Sequence, residues 1–216
     1  MRLRFETRAG EVSGLADGPS AASSVLVLGH GAGAGMESEF MSAVAAAVGR
    51  RGIRVIRFNF PFAEAGRKRP DPPPALEVCY RDVLGEVRAQ TQGNVFAGGK
   101  SLGGRIASHL AAAGDPVAGL VFLGYPLHPP GRPDKLRDRH LYALETPMLF
   151  VEGTRDPFCP LETLERVRAR LAAPNQVVVI DDGDHSFKVR KSSGRSTHEA
   201  WSEAAGAVAR WVTERT

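Results

Sequence analysis

A serine lies in a glycine-rich segment, Gly99-Lys100-Ser101-Leu102-Gly103, between a short apolar run and a helical pattern. This is the G-x-S-x-G pattern, in which a sharp strand-to-helix turn needs small flanking residues and exposes the serine Oγ at the edge of a sheet. The pattern is short enough to arise by chance, and a serine that only caps a helix is the alternative. Its place between a strand and a helix predicts that Ser101 is a nucleophile.

A serine needs a neighbouring base to become nucleophilic, and the base needs a third group that fixes its tautomer. His185 follows the last apolar run and is the best placed of the six histidines to reach the serine. Asp156 follows the preceding run, and the chain order serine, aspartate, histidine is one in which such triads occur. Asp181, Asp182 and Asp184 are rivals for the acid, although Asp184 adjoins His185 and neighbours in an extended loop point apart.

Acyl transfer places negative charge on the former carbonyl oxygen, which two aimed N–H groups stabilise. The residue after the nucleophile supplies one of them, which indicates Leu102. The small residues of the loop 30–35 let backbone N–H groups approach a ligand, and Ala32 is the first candidate, with Gly31 or Gly33 as substitutes. A phosphate loop is the alternative, but the segment does not match G-x-G-x-x-G and no Walker lysine follows.

Several side chains near the ends of the apolar runs are candidates for binding the substrate: His30, Phe60, Phe62, Tyr125 and His128. Packing in the core or at its rim is the alternative for them. The basic cluster Arg67-Lys68-Arg69 would attract an anionic substrate, and a solvated basic face is the alternative for it. A metal site in the acidic loop 181–184 is a further alternative. No other cluster of ligands with metal-like spacing accompanies that loop, so we expect neither a metal nor a cofactor.

The scaffold for these residues is predicted from the alternation of short apolar runs with amphipathic segments. The runs, typical of strands buried on both faces, are 25–28, 53–58, 95–97, 120–123, 148–151 and 177–180. The helical faces between them include Phe40, Val44 and Val48, then Leu76 to Val87, Ile106 and Leu110, Leu164 to Leu171, and Trp201 to Val212. This order predicts a single α/β domain over residues 1–216, with a mostly parallel sheet covered on both faces. Residues 2–7 and 11–15 are predicted to add an antiparallel hairpin at the edge.

The composition excludes several other classes of protein. The chain has 216 residues, of which 43% are hydrophobic and 24% charged, as in ordinary globular domains. No apolar run approaches the about 18 residues of a membrane span, and no signal-peptide h-region is present, so we expect a cytoplasmic protein without a membrane partner.

The net charge of +4 is spread out, and its basic clusters lack interleaved aromatics, so we expect no nucleic-acid partner. Cys79 and Cys159 are too isolated to predict a disulfide or zinc site. The sequence is compatible with either a monomer or a dimer as the oligomeric state.

Taken together, these motifs resemble the α/β-hydrolase superfamily, and most closely its small dienelactone-hydrolase-like branch. That branch includes predicted bacterial hydrolases, testis-expressed α/β-hydrolase-like proteins and a subunit of a histone acetyltransferase complex. The segments that carry the resemblance are 30–33, 99–105, 124–131, 153–157 and 183–185. The likeness extends from about Val25 to the end of the chain.

The resemblance implies an α/β-hydrolase fold with an eight-stranded, mostly parallel sheet. It also assigns Ser101 as nucleophile, Asp156 as acid and His185 as base. Dienelactone hydrolases proper use a cysteine nucleophile, so their substrate is not carried over. Many lipases insert a lid after the sixth strand, but Gly124 to Pro147 is too short and proline-rich for a substantial lid.

The leading hypothesis is a serine hydrolase that acts on a small-molecule acyl substrate. It would cleave small acyl esters or thioesters through an acyl-enzyme intermediate. A non-catalytic interaction protein on the same fold is one alternative, because a fold does not determine a function. A peptidase or another acyl-transfer enzyme is the other, because amides and esters are cleaved by the same kind of site.

Overall fold

The computed structural model describes all residues from Met1 to Thr216. Its strands are β1 (Arg2–Thr7), β2 (Gly10–Asp17), β3 (Ser24–Gly29), β4 (Arg54–Phe58), β5 (Asn94–Lys100), β6 (Leu120–Leu123), β7 (Met148–Gly153) and β8 (Asn175–Ile180). Its α-helices are α1 (Glu39–Gly49), α2 (Pro61–Glu64), α3 (Pro73–Ala89), α4 (Leu102–Ala112), α5 (Leu161–Arg168) and α6 (Thr197–Thr213). Two 3₁₀-helices span Arg139–Ala143 and Lys191–Ser193.

The eight strands form one sheet in the order β1-β2-β4-β3-β5-β6-β7-β8. β1 and β2 form the predicted antiparallel hairpin at one edge, and β2 also runs antiparallel to β4. All the remaining neighbours are parallel. The predicted α/β fold with a mostly parallel sheet is therefore confirmed, and the carboxyl ends of β3 to β8 share one edge.

Each face of the sheet is covered by its own layer of helices. Because side chains alternate along a strand, Val25 and Val27 of β3 point into one core while Leu26 and Leu28 point into the other. Helices α3, α4 and α5 pack on the first face, and α1 and α6 on the second. No helix is both long and apolar enough to cross a membrane.

Two elements differ from the sequence-based expectation. The run 177–180 was expected to be buried on both faces, but β8 is half-exposed along most of its length because it is an edge strand. The helical pattern reaching Leu171 was too long, since α5 ends at Arg168 and a turn follows. The connection between β6 and β7 holds only turns and one 3₁₀-helix, so the fold has no substantial lid, as expected.

Candidate active site

Ser101 occupies a strained turn between β5 and α4. Its backbone has φ 49° and ψ −107°. Residues other than glycine rarely adopt a positive φ, and those that do are often found at functional sites. The turn is tight because β5 and α4 both press against the end of β3. A Cβ added at Gly99 or at Gly103 would lie 2.1 Å from the carbonyl oxygen of Gly29. The two glycines of the motif thus permit the close packing that lifts the serine to the sheet edge.

The structure brings Ser101, His185 and Asp156 into one hydrogen-bonded series. His185 Nε2 lies 2.9 Å from Ser101 Oγ, and His185 Nδ1 lies 2.6 Å from Asp156 Oδ2. The Asp156 side chain is fully buried, and its second oxygen accepts a hydrogen bond of 2.8 Å from Phe158 N. A buried carboxylate at Nδ1 favours the tautomer with the proton on that nitrogen, which leaves Nε2 free to accept the serine proton.

The three rival aspartates do not contact the His185 ring. Asp182 pairs with Arg155 and Arg190. Asp184 accepts hydrogen bonds from the backbone N–H groups of residues 186 and 188, which closes the loop that carries the histidine. Asp181 is exposed. Asp156 is thus the one of the four aspartates whose carboxylate contacts the base.

The loop after β3 and the N-terminus of α4 flank the serine. Gly31, Ala32, Gly33 and Leu102 all line the cleft into which Ser101 opens. No hydrogen bond within the protein uses the N–H groups of Gly31, Ala32 or Gly33. A Cβ added at Gly31 would lie 3.8 Å from Ser101 Cβ, which makes this loop an immediate neighbour of the nucleophile. The choice among the three N–H groups for the second donor stays a prediction.

The cleft has a volume of about 760 Å³ and contains both Ser101 and His185. Its apolar walls come from α1, α3, α6 and the loop after β7, namely Phe40, Met41, Leu76, Phe158 and Trp201. Its other charged side chains are Glu39, Asp71, Lys100, Arg105, Arg137 and Lys188. A small molecule with an apolar part would fit beside the serine.

A model of the alpha/beta hydrolase domain family matches residues 22–213 of the chain. The chain belongs to this family. Among solved structures, the hydrolase is similar to an alpha-beta serine hydrolase homologue from Coxiella burnetii, with 20% identity and a TM-score of 0.79 over 98% of this chain and 97% of that one. The resemblance to the α/β-hydrolase superfamily that the sequence motifs indicate is thereby confirmed.

Two further structures have the same fold. A lidless a/b serine hydrolase from Xanthomonas campestris has 22% identity and a TM-score of 0.76 over 98% of this chain and 94% of that one. The dienelactone hydrolase of Anabaena variabilis has 18% identity and a TM-score of 0.77 over 99% of this chain and 96% of that one. All three structural matches extend over nearly the whole of both chains.

Four of the five predicted substrate-binding residues lie in the core of the hydrolase instead: His30, Phe60, Phe62 and Tyr125. Each is at most 1% exposed, and none lines the cleft. They follow strand ends, as expected, but their side chains turn inward against the first helical layer. The fifth, His128, does line the cleft.

His30 has a structural contact that explains its burial. Its Nε2 accepts a hydrogen bond of 3.0 Å from Phe60 N, and its Nδ1 lies 2.8 Å from Gly31 O. Burial lowers the pKa of His30, which keeps the ring neutral and its Nε2 lone pair available to that N–H. His30 thus joins the loop beside the nucleophile to the segment after β4.

Replacing His30 with alanine should lower the free energy of unfolding by about 2 kcal/mol, because the buried Phe60 N–H loses its acceptor. Urea unfolding followed by circular dichroism measures this. The exposed His198 provides the control, since His198→Ala should change the stability by less than about 0.5 kcal/mol. Equal stability of the two variants would contradict the role of His30.

The basic cluster at residues 67–69 does not reach the cleft. Arg67 is exposed and pairs with Asp71 at 2.7 Å. Lys68 and Arg69 are exposed and have no ion pair, and a charge can attract an anion without lining the cleft. The attraction of an anionic substrate by this cluster therefore stays a prediction.

Sequence reasoning missed two buried ionisable side chains behind the triad, Lys100 and Glu152. No group hydrogen-bonds to Lys100 Nζ, and a Cβ at Gly124 would lie 2.9 Å from that Nζ and 3.3 Å from His185 Nδ1. Burial lowers the pKa of Lys100 to about 8, although Asp156 and Glu152 oppose the shift. Burial raises the pKa of Glu152 well above its ordinary value, and the nearby Asp156 adds to this. The sequence contained a signal for them, since each is an ionisable residue at or near the end of a buried strand.

Proposed function

We propose that this hydrolase cleaves small acyl esters or thioesters, with Ser101 as nucleophile, His185 as base and Asp156 as the group that orients the base. The observation that carries the proposal is the continuous series from Ser101 Oγ through the His185 ring to the buried Asp156, with distances of 2.9 and 2.6 Å. These distances fall within the range over which a base can accept a nucleophile's proton.

In the first half of the reaction, Ser101 Oγ attacks the substrate carbonyl and its proton passes to His185 Nε2. The imidazolium that forms is stabilised by the Asp156 carboxylate at Nδ1. The negative charge moves to the carbonyl oxygen, where the N–H groups of Leu102 and of Ala32, or one of its glycine neighbours, would hold it. When the intermediate collapses, His185 protonates the departing alcohol or thiol.

In the second half, water replaces the leaving group and attacks the acyl-serine. His185 takes one proton from the water and returns it to Ser101 Oγ when the acid leaves. The steps need only a small-molecule acyl substrate and water, and the proposal calls for no cofactor, nucleic acid or membrane. The open cleft without a substantial lid favours small substrates over aggregated lipid.

A fluorophosphonate probe tests the proposal, because it phosphonylates only serines that a base has activated. We expect labelling of the wild type and hydrolysis of short 4-nitrophenyl esters, with both lost in Ser101→Ala. The exposed Ser202 supplies the control, since Ser202→Ala should keep both. A folded wild type that is not labelled between neutral and mildly alkaline pH would contradict the proposal and favour an interaction protein. Labelling with hydrolysis of amides but not esters would favour a peptidase.

A further inference from the structure

Two arginines that line the cleft have no partner in the protein. Arg105 lies in the first turn of α4 and Arg137 in the connection between β6 and β7. Neither guanidinium is within 4 Å of a carboxylate or donates a hydrogen bond to another group of the chain. Arg105 Nε is buried from solvent and still has no acceptor.

Elsewhere in the molecule, the guanidinium of a buried arginine has several hydrogen-bond acceptors. Arg57 donates to Asp17, to the carbonyl oxygen of Met36 and to Ser42 Oγ. Buried polar groups in native proteins are nearly always hydrogen-bonded, because leaving one unpaired costs free energy. The buried Arg105 Nε in the cleft therefore points to an acceptor that the protein itself does not supply.

The backbones of the two arginines are connected through two hydroxyl groups. Ser108 Oγ donates to the Arg105 carbonyl oxygen at 2.7 Å and lies 3.5 Å from the Tyr125 hydroxyl oxygen, which donates to the Arg137 carbonyl oxygen at 3.2 Å. Burial lowers the pKa of Arg137, and the charge of Arg105 lowers it further. Two like charges held together and half-buried repel each other, and an anion between them would remove that cost.

A third unpartnered polar atom lies on the same wall. His128 Nδ1 is 2.9 Å from the carbonyl oxygen of Pro129, whereas His128 Nε2 is buried without a partner. The His128 ring lies 6.3 Å from the Phe158 ring, which in turn lies 4.6 Å from the His185 ring. Because Nδ1 faces a carbonyl oxygen it carries the ring proton, so Nε2 is an acceptor that would bind a donor group of a ligand and not a carboxylate.

The spacing from the nucleophile suits a small substrate. Arg105 is four residues after Ser101, and its N–H donates to the Ser101 carbonyl oxygen at 3.1 Å. One turn of helix advances about 5.4 Å, so the backbone of Arg105 lies about one turn from that of Ser101, and both residues line the same cleft. The carboxylates of the cleft, Glu39 and Asp71, are both more than 4 Å from either guanidinium, and Asp71 is paired with Arg67.

We propose that Arg105 and Arg137 bind a carboxylate of the substrate, so that the enzyme acts on esters that also carry a free carboxylate group. This inference rests on the proposed function, since it names the substrate class of that same site. Each planar guanidinium can face one oxygen of a carboxylate, which sets both the position and the orientation of the bound ester. The ester carbonyl then lies toward Ser101 and the carboxylate toward the arginines.

The test compares mono-4-nitrophenyl adipate with methyl 4-nitrophenyl adipate, which has the same chain but no charge. We expect the wild type to prefer the anionic ester by about 10- to 100-fold in kcat/KM, as for a charge-assisted pair in a cleft. The ratio of the two kcat/KM values should fall to about 1 in Arg105→Gln and in Arg137→Gln. Arg139 is exposed and outside the cleft, so Arg139→Gln should keep the preference.

A second readout does not depend on turnover. Calorimetry of monomethyl adipate with the Ser101→Ala variant should show binding that is lost when Arg137→Gln is added. An equal rate for the two esters in the wild type, or a preference that survives both arginine variants, would overturn the subsite and leave the proposed function intact. Failure of the proposed function would show separately, as loss of probe labelling with carboxylate binding retained.

Discussion

Replacing Ser101 with alanine should lower kcat for a short 4-nitrophenyl ester by about 10⁶-fold, and adding His185→Ala should lower it hardly further. The reason is that the two groups act as one unit. His185 contributes by accepting the proton of Ser101 Oγ at 2.9 Å, and without the hydroxyl that transfer has no donor. Steady-state kinetics of the two single variants and the double variant measure the effect.

The single variant Asp156→Asn extends this test to the third residue. It should lower kcat by about 10⁴-fold, because an amide can donate to Nδ1 and so favour the wrong tautomer of the base. Asp181 is exposed and does not contact His185, so Asp181→Asn should retain wild-type kcat. Additive losses in the double variant, or equal rates for the two asparagine variants, would contradict the assignment of the triad.

Replacing Gly103 with alanine should lower the free energy of unfolding by about 3 kcal/mol. The added Cβ would lie 2.1 Å from the Gly29 carbonyl oxygen and 2.3 Å from its carbonyl carbon, so α4 or β3 must move. Backbone atoms in the centre of a parallel sheet cannot give way as a flexible side chain would. Urea unfolding of the folded variant measures the loss.

Gly85 offers the matched control. It lies within α3, and a Cβ added there meets no atom within 4 Å. Gly85→Ala should therefore raise the free energy of unfolding by about 0.5 to 1 kcal/mol, because alanine loses less backbone entropy in a helix. If Gly103→Ala were as stable as Gly85→Ala, the close packing of α4 on β3 would not be what requires the glycine.

Most of the fold could be predicted from the sequence because its signals are local. The short continuous apolar runs are typical of strands buried on both faces, and the segments between them follow the 3.6-residue period of a helix. Parallel strands connected by helices place their carboxyl ends at one edge. The candidates Ser101, Asp156 and His185 each follow such an end, so their convergence needed no further information.

The edge of the sheet shows where this reasoning stops. β8 has the same apolar composition as the central strands, yet Val179 is substantially exposed because nothing pairs beyond it. Strand order depends on contacts between distant segments, which a period in the sequence does not record.

The sequence by itself determined the α/β architecture, the glycine-lined turn around Ser101 and the chain order of the three proposed catalytic residues. Only the tertiary structure decided which nearby side chains face the cleft. Phe60 and Tyr125 turn into the core, whereas Arg105 and Arg137, 32 residues apart in the chain, both line the cleft that contains the nucleophile. The physical reason is that a side chain's direction after a strand end is set by the helices that pack around it, not by its neighbours in the chain.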